Sequence, residues 1–85
     1  HNSLPLFHLV SLYEDLGAPQ KALNLLEEML KRDASLMQDR IYFSLGRIYA
    51  DLGEKEKSHE SFQYVIDHFP SSPFLSYAKA FLLNE

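Results

Sequence analysis

Eighty-five residues allow one small domain and no more. Hydrophobic residues make up 46% of the chain and aromatic ones 13%, too many for a disordered segment, and a net charge of −4 leaves no basic stripe for phosphate-driven nucleic-acid binding. The absence of cysteine removes disulfides, thiol nucleophiles and thiolate metal sites, and keeps the redox compartment open. No apolar run approaches the ~20 residues of a membrane span, so direct membrane insertion is not expected. Neither a signal peptide nor an initiator Met is visible, and the chain is expected to be a piece of a longer protein.

The first predicted helix carries Leu6, Leu9, Val10, Tyr13 and Leu16 at i, i+3, i+4, i+7 spacing, and Gly17 offers a left-handed C-terminal cap. Pro19 then suits the first position of a second helix, whose apolar face is Ala22, Leu23, Leu26, Met29 and Leu30. Ala34-Ser35 interrupts the pattern. Asp39 is placed to cap a third helix with Ile41, Tyr42, Leu45, Ile48, Tyr49 and Leu52 on one face, ended by Gly53. A fourth, from about Glu54 to His68, carries Ser58, Phe62, Val65, Ile66 and Phe69, and Pro70 stops it. Ser72 as N-cap and Pro73 at the first position start a fifth, with Phe74, Leu75, Ala78, Phe81 and Leu82 as its stripe. No stretch alternates with period 2, so the expectation is all-α, five helices and no strands.

The chain also repeats itself. Asp15-Leu16-Gly17 recurs as Asp51-Leu52-Gly53, a shift of 36, and the same shift aligns Phe7 with Phe43, Leu9 with Leu45, Tyr13 with Tyr49, Lys21 with Lys57, Leu26 with Phe62 and Leu30 with Ile66. Two copies of a helix pair are followed by a tail.

The second copy resembles a tetratricopeptide repeat through Tyr42, Leu45-Gly46, Tyr49, Ser58, Phe62 and Pro70. Tyr replaces the usual Trp and Ser the usual Ala. The first copy resembles it less closely through Leu6, Leu9-Val10, Tyr13, Gly17, Ala22, Leu26 and Ala34, without the Gly after Leu9 or the closing Pro. The resemblance implies an α-α superhelix of two tetratricopeptide-like helix pairs plus one C-terminal capping or truncated-repeat helix. Residues 1–85 then form a single domain or fragment, with repeat 1 at about 4–36, repeat 2 at about 39–72 and the extra helix at about 73–84. Gly46 and Ser58 are expected where the two helices of the second repeat cross closely.

The segment His68-Phe69-Pro70-Ser71-Ser72-Pro73 resembles repeat junctions of bacterial cell-envelope proteins of this class. Periplasm and cytoplasm both stay open.

Enzyme chemistry finds no support in the residues. None of His1, His8, His59 and His68 lies at i, i+4 from another, so no helical metal pair exists, and no Gly-rich phosphate loop is present. His8 and His59 read as solvated helix residues. No cofactor and no metal are expected.

In tetratricopeptide arrays the first helix of each repeat lines a concave groove. The resemblance therefore implies groove positions Leu4, Phe7, Ser11, Glu14 and Asp15 in the first copy, and Arg40, Phe43, Arg47, Ala50 and Asp51 in the second. Phe7 and Phe43 fall off the core stripes. Arg40 and Arg47 are one heptad apart with Phe43 between them, and Arg with aromatics is what binding hot spots favour. The candidate partner-binding residues are thus Phe7, Ser11, Arg40, Phe43, Arg47, Asp15 and Asp51. Against this stands the reading that Phe7 and Phe43 are covered by neighbouring helices. A clamp for a peptide's C-terminal carboxylate is disfavoured, because Phe7 and Ser11, or Phe43 and Arg47, occupy the positions where co-chaperones of this family carry Lys and Asn.

The expected function is a protein-interaction scaffold that takes a partner peptide or helix in the groove. The alternative is a structural module that self-associates weakly, and without salt dependence, through its ends: Tyr77 and Leu83 at one, Leu4 and Leu6 at the other.

Overall fold

The computed structural model describes residues 4–32 and 37–84. Five α-helices follow in order, α1 (Leu4–Asp15), α2 (Pro19–Arg32), α3 (Gln38–Asp51), α4 (Lys55–His68) and α5 (Leu75–Leu83), and no strand occurs among the described residues. The turn expected at Ala34-Ser35 lies outside them. Each helix packs on the next, so α2 sits between α1 and α3, and α4 between α3 and α5.

The two helix-pair turns are built alike. Gly17 and Gly53 take φ of 72° and 78°, where a side chain would be strained. In both, the second residue past α1 or α3 is followed by the same bonds: Ala18 N–H donates to Tyr13 C=O at 2.8 Å, and Glu54 N–H to Tyr49 C=O at 2.9 Å.

Two core clusters result. The larger joins Phe7 and Val10 of α1, Ala22, Leu23, Leu26 and Met29 of α2, and Ile41, Leu45 and Ile48 of α3. The smaller holds Phe62, Val65 and Ala78, with Tyr42, Phe43, Ile66 and Leu82 against it. Gly46 lies at the α3–α4 crossing. A Cβ there would stand 2.6–2.8 Å from three carbons of the Phe62 ring. Ser58, also buried, donates its Oγ hydrogen to Gly46 C=O at 2.7 Å. The small residues at 46 and 58 therefore set how closely the two helices approach.

Three local expectations need correction. Asp39 does not cap α3. The helix begins one residue earlier behind Met37, whose φ is 55°, and the Asp39 carboxylate instead accepts a hydrogen bond from Ser72 Oγ. Ser72 is not immediately followed by α5, which starts at Leu75. Its Oγ accepts the Phe74 N–H at 3.0 Å and its carbonyl the Leu75 N–H at 3.1 Å, a turn that delays the helix. This one serine ties the α4–α5 connection to the start of α3.

The third concerns α1. Its buried residues are Phe7 and Val10, with Leu6 and Tyr13 only partly covered, while Leu16 is 69% exposed. A lone amphipathic helix has one buried face, but α1 meets both α2 and α3, which turns Phe7 inward and leaves the Leu12–Leu16 side uncovered.

Candidate functional site

Five of the seven candidate residues meet. Phe7, Ser11, Arg40, Phe43 and Arg47 line one cleft of about 140 Å³ together with Val10, Ser44 and Phe74. The cleft lies where α1 and α3 run beside each other and the start of α5 closes one side. Helical spacing explains the lining: positions 40, 43, 44 and 47 occupy one arc of α3, and positions 7, 10 and 11 one arc of α1.

The aromatic ledge expected from Phe7 and Phe43 is not there. Phe7 is 2% exposed and belongs to the core, with the Arg40 guanidinium carbon 4.2 Å above its ring centroid. Phe43 is half-buried in an aromatic cluster, 5.1 Å from Phe74, 5.7 Å from Phe62, 5.8 Å from Phe81 and 6.3 Å from Tyr77 between centroids. Neighbouring helices cover both rings. Of the cleft residues Ser11 is exposed, and Arg40, Phe43, Arg47 and Phe74 are half-buried.

These two cations differ. Arg40 has no ion-pair partner among the described residues, only the face of Phe7 beneath it. Arg47 donates from Nη2 to Glu14 Oε1 at 2.9 Å and lies 5.8 Å from the Phe43 centroid. Its Nε is shielded from solvent and finds no acceptor among the described residues. A buried donor without a partner carries a desolvation cost that an incoming acceptor would relieve.

Asp15 and Asp51 do not line the cleft. Both are exposed, and they act on Glu14 through space. Burial pushes the Glu14 carboxyl above the ordinary glutamate range. Arg47 opposes that push, and Asp51 and Asp15 reinforce it. Folding thus favours protonated Glu14. The stability this group contributes is fully present below its unfolded pKa and is lost as pH rises through the raised folded value. In thermal melts we expect Glu14→Gln, which cannot titrate, to lack that acid-side gain: the wild type should improve relative to the variant as pH falls from 7 to 4. A wild type that loses ground instead would mean that the Arg47 pair outweighs burial.

A wider depression of about 400 Å³ lies on the α2–α4 side, lined in part by Leu30, Tyr42, Leu45, Tyr49 and Tyr64. There Tyr42 stacks on Tyr64 at 3.9 Å, and Lys57 pairs with Glu54 beside it at 3.5 Å. Among the described residues no group of three or more His, Cys, Asp or Glu could hold a metal ion, and no helix is long and apolar enough to cross a membrane.

The closely crossed α3–α4 pair, with Gly46, Ser58 and Phe62 at the crossing, carries the strongest likeness to a known unit. Residues 39–67 match the tetratricopeptide repeat family model. The matched repeat contains all the cleft residues of α3 and none of α1 or α5. No curated protein and no solved structure matches the chain. Tetratricopeptide repeats generally mediate protein–protein interaction, and the family is typically a non-catalytic scaffold.

The sequence reading missed Val10, Ser44 and Phe74 as cleft residues. A signal for Phe74 was available in its place on the α5 stripe, but nothing local shows that this stripe closes the end of the α1–α3 cleft.

Proposed function

We propose that the chain is a protein-interaction module whose α1–α3 cleft takes an acidic side chain of a partner peptide, with apolar neighbours of that residue resting on the edge of the Phe43 cluster. The observation that carries this reading is the guanidinium pair. Arg40 has no carboxylate partner among the described residues, and Arg47, whose Nε has no hydrogen-bond partner among them, lines the same small cleft. The cleft size fits one side chain, not a folded surface. Arg is suited to such contacts because its planar donors meet a carboxylate in fixed geometry. Asp15 and Asp51 would orient the peptide by repelling its other acids. This reading replaces the aromatic strip with a polar subsite bordered by aromatics.

Peptide-display selection on the wild type and on Arg40→Glu tests it. We expect the wild type to enrich peptides with an acidic residue beside an aliphatic or aromatic one. Against these, Arg40→Glu should slow association, more so at low salt, because charge at a rim acts on the encounter rate. Peptides bound equally fast by both proteins at low salt would sink the proposal.

Self-assembly is less well supported. Tyr77 and Leu83 are 61% and 84% exposed at one end, and Leu4 and Leu12 are exposed at the other.

A further inference from the structure

One guanidinium of the cleft already has a carboxylate of this chain against it. Glu14 lies one turn beyond Ser11 on α1, and its Oε1 accepts a hydrogen bond from Arg47 Nη2 at 2.9 Å. Positions 7, 10 and 11 line the cleft and position 14 continues their arc, so Glu14 borders the cleft on the α1 side. Arg40 stands in contrast. No carboxylate pairs with it among the described residues, and the Phe7 ring lies beneath it.

The Glu14 contact is half of what this edge of the guanidinium can make. Nε and Nη2 point their N–H groups the same way, and a carboxylate can meet both with its two oxygens. Glu14 takes Nη2, while Nε is shielded from solvent and has no acceptor among the described residues. A partner carboxylate that engaged both donors would have to take Nη2 from Glu14. It would replace one hydrogen bond by two and give the buried Nε its acceptor.

The surroundings of Glu14 favour that exchange. Burial works against its charge, Arg47 stabilises it less strongly, and Asp51 and Asp15 repel it. Its side chain is 20% exposed and that of Arg47 38%, so the displaced carboxylate reaches water without crossing the core.

We infer that Glu14 is an internal competitor of the partner: it holds Arg47 in the free protein and yields Nη2 to an entering carboxylate, so that this one side chain tunes the affinity of the cleft for acids. The inference rests on the acid-binding role proposed for the cleft and names the residue that regulates it. A residue that merely oriented Arg47 for the partner would act in the opposite sense, because its loss would weaken binding.

Two capped pentapeptides serve as probes, one with Asp between Phe and Leu and one with Asn in its place. Each is titrated into the isotopically labelled protein and followed by NMR. The Asp peptide should bind Glu14→Gln about fivefold tighter than the wild type, the upper end of what a partly exposed ion pair contributes. In both proteins it should shift the Arg47 Nε–H signal. Removing any acid near the cleft favours an anion through the field alone, so Asp15→Asn and Asp51→Asn are the controls. They delete the same charge, neither aspartate is ion-paired with Arg47, and their gain should be clearly smaller and fade at high salt. An Asp-peptide affinity that is unchanged or lower in Glu14→Gln overturns the inference, and so does a gain matched by either control. In those cases a preference for the Asp over the Asn peptide leaves the acid-binding reading standing. The two peptides bound alike, or no binding by any of the proteins, would overturn that reading and the inference with it.

Discussion

Gly46→Leu should lower the melting temperature by roughly 4–24 °C, since overpacking a filled site costs about 1–3 kcal/mol and each kcal/mol is worth about 4–8 °C in a domain of this size. The geometry makes the upper part of that range the expected one. A Cβ at position 46 already meets the Phe62 ring at 2.6 Å, and that ring has no room to retreat: it is 2% exposed and stacked on Phe81 at 4.8 Å. Gly46→Ala is the sharper test, because two effects oppose each other. Alanine in a helix interior gains about 1 kcal/mol over glycine. The clash with Phe62 should exceed that gain, so Gly46→Ala should also melt lower than the wild type. Circular dichroism melts decide it: an alanine variant that melts higher would show that α3 and α4 can separate at little cost.

Phe43→Ala should loosen α5 before it affects the rest. Phe43 is the side chain that touches Phe74, Tyr77 and Phe81 at once, and with Phe62 it forms the aromatic floor on which α5 rests. Truncating a fully buried phenylalanine costs about 3–5 kcal/mol, and a half-buried one should cost less, on the order of 2 kcal/mol. The loss should be local. Amide hydrogen exchange in α5, including the Ala78 N–H bonded to Phe74 C=O, should accelerate more than exchange in α2, whose buried residues belong to the other core cluster. Uniform acceleration across all helices would show instead that α5 is integral to a single cooperative unit. Phe43→Leu, which keeps most of the volume, should restore most of the protection. Because Phe43 also borders the cleft, any binding measured on Phe43→Ala has to be corrected for the undocked fraction.

Much of the architecture was legible because it rests on local rules. Apolar periodicity, Gly17 and Gly53 at helix ends, and Pro19 and Pro70 at helix boundaries place the elements within a residue or two. The internal shift of 36 pairs the helices, and Gly46, Ser58 and Phe62 locate the close crossing, since only small residues admit a neighbouring ring at that distance. Arg40 and Arg47, one heptad apart, share a face of α3 whatever surrounds it.

What surrounds a face was beyond local rules. Phe7 and Phe43 stand off the stripes of their own helices, so periodicity reads them as exposed. Tertiary structure buries Phe7 under Arg40 and surrounds Phe43 with three rings of the α5 segment, because a helix with two packed neighbours has two buried arcs and periodicity reports only one. The same holds for the charges. Residue type and spacing make Glu14 an ordinary surface carboxylate, and only its burial, opposed by Arg47 and reinforced by Asp51 and Asp15, raises its pKa. Asp39 and Ser72 are good caps by residue type, yet they bond to each other across 33 positions, a contact between distant segments that capping preferences do not describe. Local chemistry determined which helices form and how they pair. The order in which they stack decided which aromatic rings became core, and it set the two guanidiniums among those rings at the cleft.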